Sequence, residues 1–283
     1  MVETEQSGGT TMLKSERQDE ILRVVWQQGT ASSSDLASYL GVSEITIRRD
    51  LDELARSGRL ERVRGGARRI LPQGPEPPVI QRQAEQAREK RAIGLAAVAM
   101  VEDGSVIGIE SGSTGLELAR AIAARCWQSL HVITNSFGVA DLLMRTPGVH
   151  LVFVGGSVNA DEMGTFGSLA AEMLARINID RLFMTCRGID ARAGVTNDAS
   201  AEGTFTAERA LVRASREVIV LADHTKLGRV FPLQSIPISD VDGVVTDALA
   251  PAEQVEELRA QGVRVTIAPL PEPTFNSAPM EAR

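Results

Sequence analysis

Cysteine and histidine are scarce in this sequence. Its 283 residues include 2 cysteines, Cys126 and Cys186, and 3 histidines, His131, His150 and His224, all far apart along the chain. A disulfide framework needs several cysteines, and zinc sites are built from closely spaced Cys and His ligands. Neither is expected here. We also expect no cofactor, and no pattern in the sequence marks a catalytic residue.

Long hydrophobic runs are also missing. No apolar stretch approaches the roughly 18 residues that a membrane-spanning helix requires. The N-terminal segment MVETEQSGGTT is acidic and polar, whereas a signal peptide starts with a basic region followed by an apolar one. We therefore expect a soluble protein that has no membrane partner and is located in the cytoplasm.

Positive charge is not in excess overall, but it is concentrated locally. The formal net charge is −7. Residues 1–70 carry 11 Lys and Arg against 11 Asp and Glu, so the whole negative excess falls on residues 71–283. Within residues 59–69, five arginines stand against the single acid Glu61. A phosphate backbone responds to such a local field, so the net charge does not exclude a nucleic-acid partner.

A proline-rich segment indicates a boundary between two domains. Residues 71–78 read LPQGPEPP, and four prolines and a glycine fit neither a helix nor a central strand. The sequence therefore predicts a linker there. It separates a small domain over residues 12–70 from a larger one over residues 79–270, which is followed by a tail over residues 271–283.

Three short helices are predicted in the first domain, because apolar residues recur at helical spacing between residues that start or stop helices. The first helix carries a stripe of Ile21, Leu22, Val25 and Trp26. Capping residues and glycines set the predicted bounds: Ser15 with Gln18 as a capping box and Gly29 for the first helix, Ser34 and Gly41 for the second, and Ser43 and Gly58 for the third.

The third helix has one apolar face. At about 100° per residue, Ile47, Leu51 and Leu54 fall within a narrow arc of the helical wheel, and Arg49 points away from them. Arg48 lies on a flank. An exposed Arg-Arg pair is by itself more often solvated than functional, so the meaning of this outward face depends on its neighbours.

A basic hairpin is predicted after the third helix. The segment RLERVRGGARR alternates, with Leu60 and Val63 as inward residues and Gly65-Gly66 as the turn. Two helices joined by a short turn and followed by a hairpin describe a winged helix-turn-helix. In that geometry the second helix enters the major groove of DNA, and the wing meets phosphate or the minor groove.

The motifs of the first domain match a known family. The elements xLAxxLGVSExTIRRDLxxL and LxRVxGGA within residues 15–67 resemble the DeoR/GlpR family of bacterial transcriptional regulators. In this interpretation Arg49 probes bases, whereas Arg48 either holds register on a phosphate or pairs with Glu44 or Asp52. The resemblance implies DNA contacts at Ser43, Glu44, Thr46, Arg48, Arg49, Arg62 and Arg64.

Beyond the predicted linker, helices alternate with short apolar strands. Helices are predicted over Gln81–Val101, Gly115–Ala124 and Glu202–Ala214. Strands that are apolar throughout and alternate with helices indicate a parallel α/β sheet buried on both faces. Seven such strands are predicted: VIGI from Val106, HVIT from His131, HLVFV from His150, RLFMT from Arg181, EVIVLA from Glu217, GVVT from Gly243 and VRVTIA around Arg264.

Polar residues follow the strands, at the edge where ligands of parallel sheets bind. SGST, Ser111–Thr114, precedes a helix, and its hydroxyls and amide N–H groups favour an anion. Alone, SGST is more often a turn and helix cap than a phosphate site. The recurrence of polar groups predicts a site for a small polyol bearing a phosphate; the other strand ends are Asn135-Ser136, Gly155-Gly156, Arg187–Asp190 and Asp223–Lys226.

The second domain also carries family motifs: EKRAIGLAA, DGSVIGIESGST, VITNS, FVGG, GID followed by GVT, LADHTKLG and VVTD. It resembles the effector domain of the same family, which has the fold of sugar-phosphate isomerases and coenzyme A transferases. The resemblance implies a phosphorylated sugar or related metabolite as effector. Arg187 either adds a phosphate contact or pairs with a neighbouring carboxylate. The other implied contacts are Ser111, Gly112, Ser113, Thr114, Asn135, Gly156, Asp190 and Lys226.

Three further residues are expected to have no special role in binding or catalysis. His224 beside Asp223 is expected to be a surface loop residue without an acid–base role. Glu208 is expected to be a solvated charge on a helix. Cys186 follows an apolar strand and is expected to be a small core residue.

These features together favour a transcriptional regulator and not an enzyme. We expect a repressor of a carbohydrate-metabolism operon that binds double-stranded operator DNA as a homo-oligomer, dimer or tetramer, and responds to a sugar phosphate. The alternative is a sugar-phosphate isomerase or related enzyme with an appended DNA-binding module. Turnover of pentose or hexosamine phosphates would favour the enzyme, and loss of operator binding on adding a sugar phosphate would favour the regulator.

Overall fold

The chain divides into two units, Met1–Gln73 and Gly74–Arg283. The computed structural model describes residues 13–57, 59–68, 76–197 and 202–270. The predicted helix end at Gly58, residues 71–75 of the predicted linker and the predicted tail 271–283 lie outside the described residues.

Three helices and a small antiparallel sheet form the first unit. Its elements are α1 (Lys14–Gln28), β1 (Thr30–Ser32), α2 (Ser33–Leu40), α3 (Glu44–Arg56), β2 (Glu61–Val63) and β3 (Gly66–Arg68). The strands pair in the order β1-β3-β2. The predicted winged helix-turn-helix is therefore confirmed, with α2 and α3 as the helix pair and β2-β3 as the wing. Strand β1 has no predicted counterpart, because three residues are too few to show an alternating pattern.

The start of helix α1 differs from the prediction. The helix begins one residue before Ser15, and Leu13 occupies the capping position. The Glu16 carboxylate accepts a hydrogen bond from the Leu13 N–H at 3.0 Å, so the predicted capping box at Ser15 is wrong. Gly29 follows the last helical residue, as predicted. The side chain of Trp26, which belongs to the predicted apolar stripe, lies outside the described side chains.

Serine hydroxyls cap the other two helices of the first unit. Ser32 Oγ accepts a hydrogen bond from the Asp35 N–H at 3.0 Å, so α2 begins earlier than the predicted Ser34. Ser43 caps α3 as predicted and accepts from the Thr46 N–H at 3.2 Å. These caps satisfy N–H groups that have no acceptor within the helix.

Burial fixes the rotation of helix α3. Ile47, Leu51 and Leu54 are buried, as the helical wheel predicted, and they pack with Ile21 of α1 and Leu36 of α2 in one cluster. Burying one such side chain stabilises the fold by roughly 1.5–3 kcal/mol. The three contacts together hold the opposite face of α3 towards solvent.

A buried ion pair joins α1 to α3. Asp50 is 2% exposed and accepts a hydrogen bond from Arg17 Nε at 2.6 Å. The hydrogen bond with Asp50 raises the pKa of Arg17. Asp50 lies at the edge of the apolar arc on the wheel, and no local pattern indicates its burial.

The wing is a hairpin with a two-residue turn. Val63 pairs with Gly66, which leaves Arg64 and Gly65 in the turn, so the predicted turn at Gly65-Gly66 is wrong by one residue. Leu60 is buried, as predicted. Val63 is only half-buried, because it ends its strand next to the exposed turn.

The second unit is an α/β domain. Its strands are β4 (Val106–Ile109), β5 (Leu130–Thr134), β6 (Val149–Phe153), β7 (Ser157–Asn159), β8 (Gly164–Phe166), β9 (Ile179–Thr185), β10 (Gly188–Asp190), β11 (Gly194–Asn197), β12 (Ser215–Leu221), β13 (Leu233–Ile236), β14 (Gly243–Asp247) and β15 (Arg264–Ala268). Its helices are α4 (Val79–Arg82), α5 (Ala87–Ala97), α6 (Ser113–Ala123), α7 (Phe137–Leu143), α8 (Ser168–Leu174), α9 (Glu202–Arg213) and α10 (Ala252–Ala260).

The seven predicted strands form one sheet in the order β15-β14-β12-β9-β4-β5-β6. Every neighbouring pair is parallel. The predicted parallel α/β sheet is therefore confirmed, and the carboxyl ends of its strands share one edge.

Helices cover both faces of this sheet. Alternate residues of β9 enter different hydrophobic clusters: Leu182 and Met184 pack with residues of α8, α9 and α10, whereas Phe183 packs with residues of α5, α6 and α7. No helix in the described part of the chain is long and apolar enough to cross a membrane.

The predicted helix Gln81–Val101 is wrong in its continuity. The structure has α4, a turn and then α5, with a φ of +50° at Gln86 just before α5. Lys90 on α5 donates a hydrogen bond from Nζ to the carbonyl oxygen of Arg82 at 2.6 Å. This contact ties the end of α4 to α5 across the turn, and only the folded chain brings the two groups together.

Two small antiparallel sheets accompany the main sheet. One has the order β10-β11-β13, and the other pairs β7 with β8. Their strands of three or four residues are too short for a periodic pattern, so the sequence did not predict them.

Replacing Asp50 by Ala should destabilise the first unit by about 3 kcal/mol, because Arg17 would stay buried without its partner. Asp52 on the same helix is the matched control, since its pair with Arg62 is exposed and such pairs contribute little. Urea denaturation of the full chain measures both variants. Equal losses of stability in D50A and D52A would contradict the role of the buried pair.

Candidate functional site

The exposed face of α3 presents an arginine beside an aliphatic side chain. Arg49 and Ile45 are one helical turn apart and both exposed, with Ile45 at 64%. Arg64 is exposed in the turn of the wing. Neither Arg49 nor Arg64 forms an ion pair with another described residue, so both guanidinium groups are available to a partner.

The other predicted DNA contacts on α3 bond to one another. Ser43 Oγ and Thr46 Oγ1 lie 2.9 Å apart. Arg48 Nη2 contacts Glu44 Oε2 at 2.7 Å, and both side chains are largely exposed. Of the two carboxylates considered for Arg48, the structure thus pairs it with Glu44 and not with Asp52.

Arg62 connects the wing to α3. Its Nε donates to Asp52 Oδ1 at 2.9 Å, and its Nη1 donates to the carbonyl oxygen of Gly66. Arg62 therefore bridges the hairpin and the helix, whereas Arg64 carries the exposed charge of the wing.

In the second unit, the loop between β4 and α6 is tightly packed. The Ser111 N–H donates to Asn135 Oδ1 at 3.0 Å, and Asn135 Nδ2 donates to the carbonyl oxygen of Thr165 at 3.1 Å. Gly112 has a φ of +152°, and a Cβ there would lie 2.3 Å from Thr185 Oγ1. A side chain at position 112 would therefore clash with the side chain of Thr185 at the end of strand β9.

Helix α6 starts at this loop with two buried hydroxyl residues, Ser113 and Thr114. The first N–H groups of a helix have no acceptor within it and carry partial positive charge. The loop and helix start thus have the donors that the sequence predicted, and Asn135 contributes by holding the loop.

A cavity of about 50 Å³ lies at the strand ends next to this loop. Two predicted effector contacts, Ser111 and Arg187, line it. The sequence did not predict the charged groups that make up most of the remaining wall. These are Glu76, Arg82, Glu110, Glu162 and Glu208.

The pKa values of three carboxyl groups of this cavity are raised. Burial raises the pKa of Glu208 to about 7, although Ser235 and Asn197 bond to its oxygens. Burial and the nearby Glu208 raise the pKa of Glu110 well above its usual range. Burial also raises the pKa of Glu162. These groups therefore take up a proton at higher pH than usual, and a protonated carboxyl group can both donate and accept hydrogen bonds.

Arg187, which lines the cavity, stacks on the ring of Phe231. Its guanidinium carbon lies 4.1 Å from the centroid of Phe231, and that of Arg229 lies 4.8 Å from the same ring. Stacking of this kind fixes the plane of a guanidinium group. Cys186, which precedes Arg187, is half-buried and also lines the cavity, and burial raises the pKa of its thiol.

The remaining predicted contacts have structural partners. Asp190 Oδ1 accepts from the N–H groups of Arg192 at 2.8 Å and Ala193 at 2.9 Å, which fixes the turn between β10 and β11. At Gly156 a Cβ would lie 2.5 Å from the carbonyl oxygen of Phe166. Lys226 Nζ donates to Glu76 Oε1 at 3.2 Å, and Glu76 lines the cavity.

The structure contradicts the expectations that His224 is a surface residue and that Glu208 is solvated. His224 is 1% exposed, and its Nδ1 lies 3.0 Å from Asp247 Oδ1. Burial lowers the pKa of His224, but the hydrogen bond to Asp247 and the negative charges of Asp247, Asp223 and Glu89 together outweigh it, so the net shift is upward. Glu208 is 5% exposed and accepts from Asn197 Nδ2 at 3.2 Å. Both partners are distant in sequence.

Glu208→Gln should flatten the pH dependence of stability between about 4.5 and 7. The folded protein keeps the Glu208 proton up to a pKa of about 7, whereas the ordinary value is 4.5. Between these values the folded state binds more protons, so the free energy of unfolding falls as pH rises. Well below pH 4.5 and well above pH 7, Glu208 does not contribute to the pH dependence of the free energy of unfolding.

Thermal unfolding of the wild type, E208Q and the exposed control E257Q at pH 4 to 8 measures this effect. E257Q should follow the wild type. Parallel profiles for E208Q and the wild type would contradict the raised pKa of Glu208.

Comparisons with known proteins match both units. The family model of the DeoR-like helix-turn-helix domain matches residues 17–73, and that of the DeoR C terminal sensor domain matches residues 85–248. The glycerol-3-phosphate regulon repressor of Escherichia coli K12 is 30% identical over 90% of this chain and 100% of that protein. The putative aga operon transcriptional repressor of Escherichia coli O157:H7 is 31% identical over 89% of this chain and 93% of that protein.

Among solved structures, ribose 5-phosphate isomerase A from Methanocaldococcus jannaschii has a TM-score of 0.37, with 20% identity over 50% of this chain and 55% of the other. Translation initiation factor eIF-2B from Pyrococcus horikoshii has a TM-score of 0.38, with 17% identity over 82% of both chains. The full-length relatives are regulators, which confirms the predicted regulator over the alternative enzyme. The chain belongs to the DeoR family of DNA-binding transcriptional regulators.

Proposed function

We propose that this regulator represses a carbohydrate-metabolism operon in the cytoplasm and is released from DNA by a phosphorylated sugar or related metabolite. The observation that carries the proposal is that one chain joins an exposed arginine face on α3 to a charged cavity at the strand ends. Relatives named as repressors of the glycerol-3-phosphate regulon and the aga operon support it. We assign residues 12–70 to DNA, residues 79–270 to the effector, residues 71–78 to the linker and residues 271–283 to a tail.

In this proposal α3 enters the major groove. Arg49 is placed to bond the O6 and N7 atoms of guanine, and Ile45 beside it can contact a thymine methyl group. The amino end of α3, where Ser43 and Thr46 lie, faces the phosphate backbone. Arg48 with Glu44, and the wing arginines Arg62 and Arg64, complete the proposed DNA contacts.

The cavity suits a phosphorylated polyol. Protonated carboxyl groups such as Glu110 and Glu208 can bond hydroxyl groups, while Arg187 and the start of α6 favour an anion. A volume of about 50 Å³ has room for only one or two water molecules. A bound effector therefore requires the wall to open, which gives the protein the two states that a ligand-controlled switch needs. We assign Ser111, Gly112, Ser113, Thr114, Asn135, Gly156, Arg187, Asp190 and Lys226 to this effector site.

We also propose that the protein acts as a homo-oligomer, dimer or tetramer. Operators of helix-turn-helix proteins consist of repeated half-sites, and paired modules double the number of phosphate contacts. Since affinity depends steeply on that number, pairing compensates for the modest charge of one module.

Arg49→Ala should weaken specific operator binding by about 1 to 3 kcal/mol and relax sequence preference at one position, because a bidentate contact to a base is lost. Arg64→Ala should weaken binding to all sequences and reduce its salt dependence, because a phosphate contact is lost. Gel-shift titrations at several salt concentrations, with DNA from upstream of the protein's own gene, measure both effects. Wild-type affinity and salt slope in both variants would overturn the assignment of these faces.

A phosphorylated effector should weaken operator binding about tenfold or more, as expected for a coupling free energy of 1 to 3 kcal/mol. The same titration with pentose, hexose and hexosamine phosphates and glycerol 3-phosphate checks this, with the unphosphorylated compounds as controls. Lys226→Met should retain DNA binding and lose the response. Turnover of one of these phosphates, without an effect on DNA binding, would overturn the proposed function.

A further inference from the structure

An acidic side chain from the start of the second unit is held between two cations at the cavity. Glu76 Oε1 accepts from Arg82 Nη1 at 3.0 Å and from Lys226 Nζ at 3.2 Å. The three side chains are only 17%, 8% and 17% exposed. Ion pairs shielded from water in this way are stronger than surface pairs.

Arg82 has a hydrogen-bond donor that Glu76 and Glu162 do not use. The residue is 7% exposed, its Nη1 bonds Glu76 and its Nη2 bonds Glu162. Its Nε is buried and has no hydrogen-bond partner within the described residues. A buried donor without an acceptor is costly. The guanidinium group thus presents donors in the planar geometry that suits a tetrahedral oxyanion.

The two cations are held in place by contacts other than Glu76. The carbonyl oxygen of Arg82 accepts from Lys90 Nζ at 2.6 Å, and Glu162 holds the other side of its guanidinium group. The Lys226 N–H donates to the carbonyl oxygen of Asp223 at 2.9 Å, and the carbonyl oxygen of Lys226 accepts from the Ile189 N–H at 3.0 Å. Burial raises the pKa of Asp223, but the charges of Lys226, Lys90 and His224 and the hydrogen bond from Thr225 together lower it. Arg82 and Lys226 would therefore still form an anion site if the Glu76 side chain moved away.

The geometry points to Glu76 as an internal occupant of the anion site made by Arg82 and Lys226, for which the phosphate group of the effector competes. This inference rests on the proposed function, and it adds Glu76 and Arg82 to the residues that control effector binding. Because Glu76 Oε1 accepts from Arg82 Nη1 and Lys226 Nζ, a phosphate oxygen can take both donors only when the Glu76 side chain leaves them. Phosphate binding and the present position of Glu76 therefore exclude each other.

A displacement of Glu76 affects the neighbouring part of the chain. Glu76 is followed by Pro77 and Pro78, whose fixed φ angles limit independent movement of the segment. The Val79 N–H then donates to the carbonyl oxygen of Asp161 at 2.7 Å. Glu76 is also the first described residue of the second unit, so its displacement acts on the end of this unit that follows the linker in sequence. By reciprocity, whatever holds Glu76 in place weakens phosphate binding.

Calorimetric titration of the full chain with inorganic phosphate tests the inference. Glu76→Gln removes the competing charge, and Glu76→Asp keeps the charge but is too short to reach both cations at hydrogen-bond distance. If Glu76 occupies the site about 90% of the time, E76Q should bind phosphate about tenfold more tightly than the wild type. E76D should also bind it several-fold more tightly. Glu253→Gln, at an exposed position on α10, is the charge-matched control and should leave the affinity unchanged.

Three results would overturn the inference. Equal phosphate affinity in the wild type, E76Q and E76D would show that Glu76 does not compete, while the proposed phosphorylated effector would stand. Tighter binding by E76Q alone would indicate a general effect of charge and no occupied site. Absence of phosphate binding in every variant would count against both the anion site and the proposed effector class.

Discussion

Charge that leaves water must find a partner, and the second unit gathers its buried charge at one edge of its sheet. Arg82 bonds Glu76 and Glu162 through its guanidinium group and Lys90 through its carbonyl oxygen. This single residue therefore connects helix α4, helix α5 and the loop between β7 and β8. Lys226 extends the set to the end of β12 by its bond to Glu76. The positions of these elements depend on the neutralisation of the same few ions.

The main architecture could be predicted from the sequence because its physical causes are local. Parallel strands buried on both faces are apolar throughout, so all seven were recognisable as short runs. The face of α3 followed from the spacing of Ile47, Leu51 and Leu54. The break between α4 and α5 could not be predicted in the same way, because it depends on Lys90 reaching the carbonyl oxygen of Arg82. The burial of His224 likewise depends on Asp247 in another strand.

The two candidate sites also differ in how far they could be predicted from the sequence. The predicted DNA contacts lie on one helix and one hairpin, where neighbours in sequence are neighbours in space. The cavity draws Glu110, Glu162 and Glu208 from three separate elements, so their sequence context suggested solvated charges or nothing at all. Glu110 did carry a signal, since it directly follows strand β4 at the edge where ligands bind. An acidic residue in that position is as much a candidate ligand contact as the hydroxyl residues after it.

The bond of Arg62 to both Asp52 and the carbonyl oxygen of Gly66 has a consequence for the DNA. It orients the wing relative to α3, so in the proposed complex the two would reach the duplex with a set separation. One additional base pair between their contacts would shift the second contact by about 3.4 Å along the axis and rotate it by about 35° around it. In the proposed complex, such a module would recognise the spacing of its contacts along the operator as well as the bases. It would discriminate against half-sites that have the right bases at the wrong spacing.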